Sequence, residues 1–373
     1  MTLIANLVAL LGAAIWLTVL MLPWRPWSTR ETLDVSLSSG FPREDLSDIT
    51  VLIPARNEAK VLQITLPALK NQGRGLQVIL VDDQSSDETS QVAEEVGGKD
   101  LLLVEGKPSP AGWSGKLWAL EQGRGHIQTP FTLLLDADIE LLPGIVRELR
   151  NEMAERNVHL VSLMAALHTE TFWEKLSMPA FVYFFKLLYP FRLSNSPTSG
   201  VAAAAGGCIL IKSKVLEDIG GFASIRGELI DDCALAKRVK NRGYRTWMGL
   251  SHSVKSLRAY NSLGIIWKMV ARTAFTQLGY SKTILILCTF ILLAAFGFPA
   301  IGLVVGGLSV KLLSAFSLGA MVLTYLPTLR FYGLSPWWAL LMPLTGILYL
   351  AMTWTSACRY WAGVTATWKG RTY

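Results

Sequence analysis

Charge is what this sequence has least of. Only 17% of its 373 residues are Asp, Glu, Lys or Arg, against about 25% in a typical soluble domain. Hydrophobic residues make up 51%. A shortfall of that size implies that part of the chain is solvated by lipid. Cysteine is scarce too. Cys208, Cys233, Cys288 and Cys358 show no CxxC spacing, which argues against a disulfide framework or a zinc site and fits a reducing compartment. There is no basic stripe. The 35 basic and 28 acidic residues leave a net charge of +7, but the basic residues are scattered and many flank apolar runs. Nucleic acid is therefore not an expected partner. The excess reads as membrane-surface charge plus a site for an anionic ligand. No internal repeat is visible.

The long apolar runs lie at the two ends. Leu3 to Leu22 is interrupted only by Asn6 and Thr18, and twenty helical residues span roughly 30 Å, the thickness of a bilayer core. No basic residue precedes the run, and it ends in Met21-Leu22-Pro23-Trp24, so an uncleaved anchor is expected rather than a signal peptide. Arg25 and Arg30 follow directly. By the positive-inside rule they place the next domain in the cytoplasm. In the C-terminal third, Ile284–Leu308, Leu312–Leu329 and Trp337–Ala357 are each long enough to cross. Three crossings from the cytoplasm put the tail outside, whereas Arg359, Lys369 and Arg371 favour inside. The number of crossings stays open.

Between about 45 and 260 the composition turns ordinary, and short apolar runs alternate with helical stretches. Strands are expected at Ile49–Pro54, Leu76–Asp82, Leu101–Val104 and Phe131–Leu135. Helices are expected at Ala59–Lys70, Asp87–Val96 and Lys116–Arg124. Continuous apolar strands separated by helices indicate a parallel sheet covered on both faces. Such sheets bind ligands at the carboxyl ends of their strands.

Polar residues cluster at those ends. The second strand runs into Asp82-Asp83-Gln84-Ser85-Ser86-Asp87. Ser86 or Asp87 suits a helix cap, but Asp82 and Asp83 directly after a buried strand suit contacts to a base or ribose. The fourth strand runs into Asp136-Ala137-Asp138. Positions i and i+2 of a strand share a side, so these carboxylates converge. Like charges that converge repel unless a cation sits between them, and oxygen ligands suit Mg²⁺ or Mn²⁺ with a diphosphate completing the shell. A solvated strand end is the bland alternative. Gly112-Trp113-Ser114-Gly115-Lys116 places glycines and a lysine at a helix start, suiting a phosphate or sugar contact. Its spacing matches neither a Walker loop nor a dinucleotide fingerprint. Gly206-Gly207 before the run Ile209–Ile211 reads either as close backbone approach to a ligand or as a plain turn. Asp231-Asp232 at the head of a helical run reads either as capping or as a general base.

Taken in order, Pro54-Ala55-Arg56-Asn57-Glu58, Val81-Asp82-Asp83-Gln84-Ser85-Ser86-Asp87, Asp136-Ala137-Asp138 and Asp231-Asp232-Cys233-Ala234-Leu235 resemble the family 2 glycosyltransferases of GT-A fold, over roughly residues 48 to 250. Gly112–Ala119, Ala271–Leu278 and the tail Trp368-Lys369-Gly370-Arg371 extend the resemblance to the bacterial hopene-associated glycosyltransferases. Membrane glycosyltransferases of carotenoid acids are a near alternative. The resemblance implies an α/β GT-A-type, mainly parallel sheet with flanking helices and transmembrane helices at both ends. It implies that Pro54, Ala55 and Glu58 line the nucleotide pocket and that Asp83, with Asp82 beside it, holds the base. Asp136 and Asp138 would meet the sugar diphosphate and metal, Asp138 most directly. Asp232 matches the acid that deprotonates the acceptor, although the family usually carries Glu-Asp where this chain has Asp231-Asp232. The Gln-x-x-Arg-Trp signature of processive members is missing, so a single sugar transfer is implied.

The expected organisation is an anchor at 1–24, a linker at 25–47, a glycosyltransferase domain at 48–260, an amphipathic interfacial helix at 261–281, a transmembrane region at 282–358 and a basic tail at 359–373. The expected setting is a bacterial cytoplasmic membrane, with a nucleotide-sugar donor and a lipid acceptor. Phe172–Phe191, crowded with aromatics, reads either as an interfacial helix near the acceptor or as a buried core helix. A membrane transporter subunit or a non-catalytic nucleotide-sugar binder is the rival reading. It is disfavoured because the apolar spans hold almost no ionisable residues. A soluble phosphoryl-transfer enzyme fits neither the anchor nor the missing phosphate loop.

Overall fold

A computed structural model describes residues 2–35, 44–364, 367–368 and 371–372. Part of the expected linker (36–43) and residues 365–366, 369–370 and 373 of the basic tail, Lys369 included, lie outside the described residues. The chain divides into two units. One comprises Glu31–His168, Phe191–Arg258 and the stretch from Thr367, and the other Met1–Arg30, Thr169–Pro190 and Ala259–Ala366.

The first unit is built on an eight-stranded sheet. Its strands are β1 (Ile49–Ala55), β2 (Gln77–Asp82), β3 (Leu101–Glu105), β4 (Phe131–Leu135), β5 (Ile139–Leu141), β6 (Leu160–Ala166), β7 (Cys208–Lys212) and β8 (Thr246–Ser256), in the order β3-β2-β1-β4-β7-β6-β8-β5. Strands β3, β2, β1 and β4 run parallel, as the apolar runs suggest. Beyond β4 the sheet is mixed. Strand β7 lies antiparallel to both β4 and β6, while β6 and β8 are parallel. A continuous apolar run records burial on both faces and carries no direction, so this reversal has no signature in composition.

Successive residues of the central strands face two separate cores. Ile53, Leu80 and Leu133 enter one and Leu52, Ile79 and Leu134 the other, as period-two alternation requires. Helices Ala59–Lys70, Thr89–Gly97 and Gly115–Arg124 connect the parallel strands. Gly123 lets the last of these lie close on the sheet, because a Cβ there would meet Leu52 Cδ1 at 2.3 Å. Residues Glu31–Val35, expected within the linker, run along β8. Thr32 bridges Leu250 in parallel, and Asp34 accepts from Ser251 Oγ and from the amides of His252 and Ser253.

The second unit is helical. Leu3–Met21, Lys282–Val305, Leu308–Phe331 and Pro336–Trp361 are long and apolar enough to cross a membrane. The break at Gly306-Gly307 ends the second of these earlier than the run Ile284–Leu308 suggests. The second helix also contains a π-helical turn at Leu293–Gly297. Trp16 of the first helix is buried there and donates its indole N–H to the Ala295 carbonyl at 2.8 Å. Gly12 makes the approach possible, since a Cβ at this position would stand 2.4 Å from the Ala294 carbonyl oxygen.

Helix Phe172–Leu188 opens with a Thr171–Glu174 capping box and packs within this unit. Tyr183 Oη meets Thr324 Oγ1 at 2.8 Å, and Tyr349 Oη donates to the Ser177 carbonyl at 2.9 Å. Of its two readings, the packing supports the buried one. Helix Leu263–Gln277 buries Ile266, Val270, Ala271 and Phe275. It is pinned to the last apolar helix by Trp267 Nε1 on Thr355 Oγ1 (3.1 Å) and by the Phe275 amide on Ser356 Oγ (3.0 Å).

Candidate active site

The antiparallel entry of β7 assembles the site. Leu135 pairs with Cys208, so the carboxyl end of β4 lies beside the amino end of β7. The Asp136 amide donates to the Gly207 carbonyl at 3.1 Å. Gly206 follows on the same edge, and its amide donates to Asp232 Oδ2 at 2.9 Å. A Cβ on Gly206 would come within 3.3 Å of Lys116 Nζ and 3.4 Å of Asp232. Gly206 thus lies close to these side chains, while Gly207 supplies backbone to Asp136.

Lys116 enters from the Gly115–Arg124 helix, whose start is capped by Ser114 Oγ accepting from the Leu117 amide. Its ammonium stands 2.7 Å from Asp136 Oδ1 and 3.5 Å from Asp231 Oδ2. Asp231 and Asp232 lie in the first turn of the Asp231–Asn241 helix. Asp232 Oδ1 also accepts from the Cys233 amide at 2.7 Å. Pro54, Lys116, Asp136, Gly206, Asp231 and Asp232 line one pocket.

The electrostatics follow from this crowding. Burial pushes the Asp232 carboxyl up, the neighbouring Asp231 adds to the rise, and Lys116 and the two amides only partly offset it, leaving it at about 6. Burial likewise raises Asp136, against the pull of Lys116. Burial alone would lower the Lys116 ammonium, but Asp136, Asp231 and Asp232 outweigh it and hold the group firmly protonated.

Asp138 is buried on the far side of Ala137. Its Oδ2 stands 2.8 Å from Arg258 Nε, and Arg258 Nη2 reaches Glu58 Oε1 at 3.6 Å. Arg258 follows β8, and the Leu257 amide donates to the Asp138 carbonyl at 2.8 Å. Sequence reasoning missed Arg258. Its one visible signal is a basic residue directly after a strand.

The remaining expected residues gather elsewhere. Asp82 accepts from the Ser85 amide at 2.9 Å and from the hydroxyls of Ser85 and Ser90. Asp83 is fully buried; its amide donates to the Ala55 carbonyl at 2.8 Å, and its carbonyl accepts from Arg56. Asn57 and Gln84 adopt left-handed backbone, φ 53° and 56°. The Asn57 amide side chain accepts from the Ser86 amide at 2.8 Å, so the loops after β1 and β2 are tied together. Asp87 accepts from Thr89 and from the Ala59 amide, but the helix Thr89–Gly97 starts after Glu88 with no side-chain cap bond.

Among the described residues no group of three or more His, Cys, Asp and Glu side chains gathers closely enough to hold a metal unaided. The donors at the β4 end nevertheless suit a hard cation. Asp138 adds to the cost of charging Asp136, each carboxylate already faces a basic side chain, and Mg²⁺-type ions characteristically take one or two carboxylates and complete their shell with substrate phosphate.

The mixed α/β sheet has its counterpart among solved structures in GT-A-type proteins. The solved structure of a mannosyltransferase from Pyrobaculum calidifontis, in complex with GDP-Man and Mn²⁺, shares that fold. Its TM-score is 0.58 at 20% identity, covering 95% of this chain and 98% of that one. Residues 50–220 match the model of glycosyl transferase family 2. Curated relatives include the 4,4'-diaponeurosporenoate glycosyltransferases of Staphylococcus haemolyticus, 36% identical over 98 residues, and of Staphylococcus aureus, 35% identical over 94 residues. These matches cover about a quarter of this chain and of each relative (26% and 26%, 25% and 24%). Over residues 50–220 the chain is thus similar to family 2 glycosyltransferases, and its fold is that of the mannosyltransferase.

Proposed function

We propose that this chain is a membrane-bound, inverting glycosyltransferase that moves one sugar from a nucleotide-sugar to a lipid acceptor. The observation that carries the reading is the pocket in which Lys116 lies between Asp136 and Asp231 with Asp232 alongside. It offers a fixed positive charge for a diphosphate and, next to it, a carboxyl pushed up to about 6.

The acceptor oxygen attacks the anomeric carbon, the bond to the nucleoside diphosphate breaks, and the transition state has oxocarbenium character. Asp232 takes the acceptor's hydroxyl proton. The Gly206 and Cys233 amides fix its orientation, and a base near the working pH is the efficient one. Asp231, drawn toward Lys116, serves as its counter-charge. Lys116 meets the departing diphosphate. Asp136 and Asp138 would hold the divalent cation, Mg²⁺ or Mn²⁺, which supplies neutralisation of the leaving group. Pro54, Ala55, Glu58, Asp82 and Asp83 shape the nucleotide end.

The acceptor reading rests on the four apolar helices and on relatives named for a carotenoid-type acid. A hopanoid alcohol and a polyisoprenoid or carotenoid acceptor are the two candidates; the relatives favour the second. Arg25 and Arg30 after the first span support a cytoplasmic catalytic unit in a bacterial inner membrane. The test uses full-length protein in lipid nanodiscs with Mn²⁺ or Mg²⁺, a panel of nucleotide-sugars and both acceptor classes. The expected result is nucleoside diphosphate release matched by a singly glycosylated lipid in the mass spectrum. Nucleotide-sugar binding with no turnover on any acceptor would favour the non-catalytic reading.

A further inference from the structure

Asp138 is the carboxylate that the resemblance assigns most directly to the cation, and in this structure it faces Arg258 Nε at 2.8 Å. The same guanidinium reaches Glu58 Oε1 at 3.6 Å. Asp138 and Glu58 are nearly buried, with side chains 12% and 11% exposed, whereas Arg258 is 38% exposed. Arg258 therefore faces two low-solvation carboxylates while keeping a path to water. Arg258 is also the long, planar, multiply donating cation suited to exchanging a carboxylate for a phosphate partner, because its fork fits both.

Resting on the reading above, we propose that Arg258 is a positioning residue that occupies the cation site and couples metal binding to donor binding. With no nucleotide present, Arg258 neutralises Asp138 and Glu58 and opposes entry of a divalent cation. The donor's diphosphate offers Arg258 a new anionic partner. Its transfer to the phosphate would free Asp138 to hold the cation, which would supply further neutralisation of the same diphosphate. Metal and nucleotide then bind cooperatively, and the coupling passes through one side chain. Coupling of this kind is reciprocal, so each ligand raises the other's affinity by the same factor.

The arrangement has a chemical purpose. A cation held without the donor would leave a Lewis-acidic site open to inorganic phosphate. Arg258 keeps the site closed to metal until a diphosphate arrives.

Mn²⁺ titrations followed by the electron paramagnetic resonance signal of the free ion test this without any turnover, on full-length protein in nanodiscs. In the absence of nucleotide, Arg258→Gln is expected to bind Mn²⁺ about three- to tenfold more tightly than wild type, because a competing charge at contact distance has been removed. UDP and GDP, added separately, are expected to strengthen Mn²⁺ binding in wild type by the nucleotide that fits, and by a smaller factor in Arg258→Gln. Arg258→Lys keeps the charge and should bind bare Mn²⁺ as wild type does, with reduced coupling to nucleotide because the bidentate fork is lost. It also controls for a folding defect in the Gln variant. Equal or weaker bare Mn²⁺ binding in Arg258→Gln overturns the proposal, as does an unchanged nucleotide effect in both variants. If wild type transfers no sugar yet the variants shift Mn²⁺ affinity as described, the transferase reading fails and the coupling stands. If wild type transfers sugar and the variants shift nothing, the reverse holds.

Discussion

Asp82-Asp83 and Asp136-Asp138 leave the sheet on opposite sides of β1, with similar sequences and different surroundings. Asp82 is closed in by its own loop, accepting from Ser85 and Ser90. Its charge is answered by neutral donors within eight residues, and those donors set the loop's shape. Asp136, Asp138 and the facing Asp231-Asp232 pair are answered by two basic side chains, Lys116 and Arg258, brought from distant parts of the chain. Short-range dipoles fix a conformation. Long cationic side chains can trade one anion for another. The first pair therefore reads as architecture for the nucleotide end and the second as a place where charge is meant to move. Substitutions that treat the two pairs alike can separate these roles.

The largest expected effect is on Asp232. Replacement by Asn should lower the rate of transfer to a hydroxyl acceptor by about 10²- to 10⁴-fold, the usual worth of a positioned base, with nucleoside diphosphate affinity nearly unchanged. A lipid carboxylate, already deprotonated at neutral pH, should largely escape the penalty. Comparing the two acceptor classes in one Asp232→Asn preparation therefore also identifies the acceptor. Full transfer to a hydroxyl acceptor by this variant would remove Asp232 from the reaction and leave Asp231 as the candidate.

Next in size is Lys116. Lys116→Met leaves Asp136, Asp231 and Asp232 without their shared cation, so the incoming diphosphate meets uncompensated negative charge. Nucleoside diphosphate affinity, read by calorimetry, should fall roughly 10- to 100-fold, or about 1.4–2.7 kcal/mol. The pH dependence gives a second reading. Lys116 holds the Asp232 carboxyl down, so its loss raises that carboxyl further above about 6. The acidic limb of the rate profile should move to higher pH. A limb that stays in place, or moves down, would mean that a different group titrates.

Much of this contrast is legible in the residues alone. The Ala59–Lys70 helix and the Phe131–Leu135 strand run where apolar periodicity places them, because both bury a simple pattern. The expected convergence of Asp136 with Asp138 by strand alternation does not carry over, because β4 ends at Leu135 and the two carboxylates face different side chains, Lys116 and Arg258. The direction of β7 is not legible either, since burial on both faces looks the same either way, and that direction is what delivers Gly206 to Asp232 and Lys116. Phe172–Leu188 shows its apolar character but not its partners, Thr324 and Tyr349, which are supplied by helices far along the chain. Arg258 is hardest to read. A single arginine after a strand is ordinary until the fold sets it against Asp138. The separate treatment of Asp82 and Asp136 is equally hidden, because it depends on which donors close around each carboxylate.

The smallest effect is the sharpest on that last distinction, because its sign differs between the two clusters. Asp82→Asn removes an acceptor that serves three groups of one loop, so thermal or denaturant unfolding should show a loss of about 1.5–3 kcal/mol, the range for hydrogen bonds to a charged partner. Asp232→Asn should do the opposite at pH 7. Its carboxyl sits at about 6 in the fold against an ordinary aspartate value of 3.8, so the folded state prefers the neutral form. A carboxyl raised in this way contributes stability below about pH 4 and loses it as pH climbs through about 6, where the unfolded chain releases its proton first. Asn never pays that charging cost, so the variant should gain on the order of 1–2 kcal/mol over wild type at pH 7, and the gain should vanish below about pH 4. A carboxylate that weakens the fold while its replacement abolishes transfer is held for chemistry. If Asp232→Asn instead destabilises at neutral pH by as much as Asp82→Asn, then Asp232 is a helix-capping group for Gly206 and Cys233, and the contrast between the two clusters collapses.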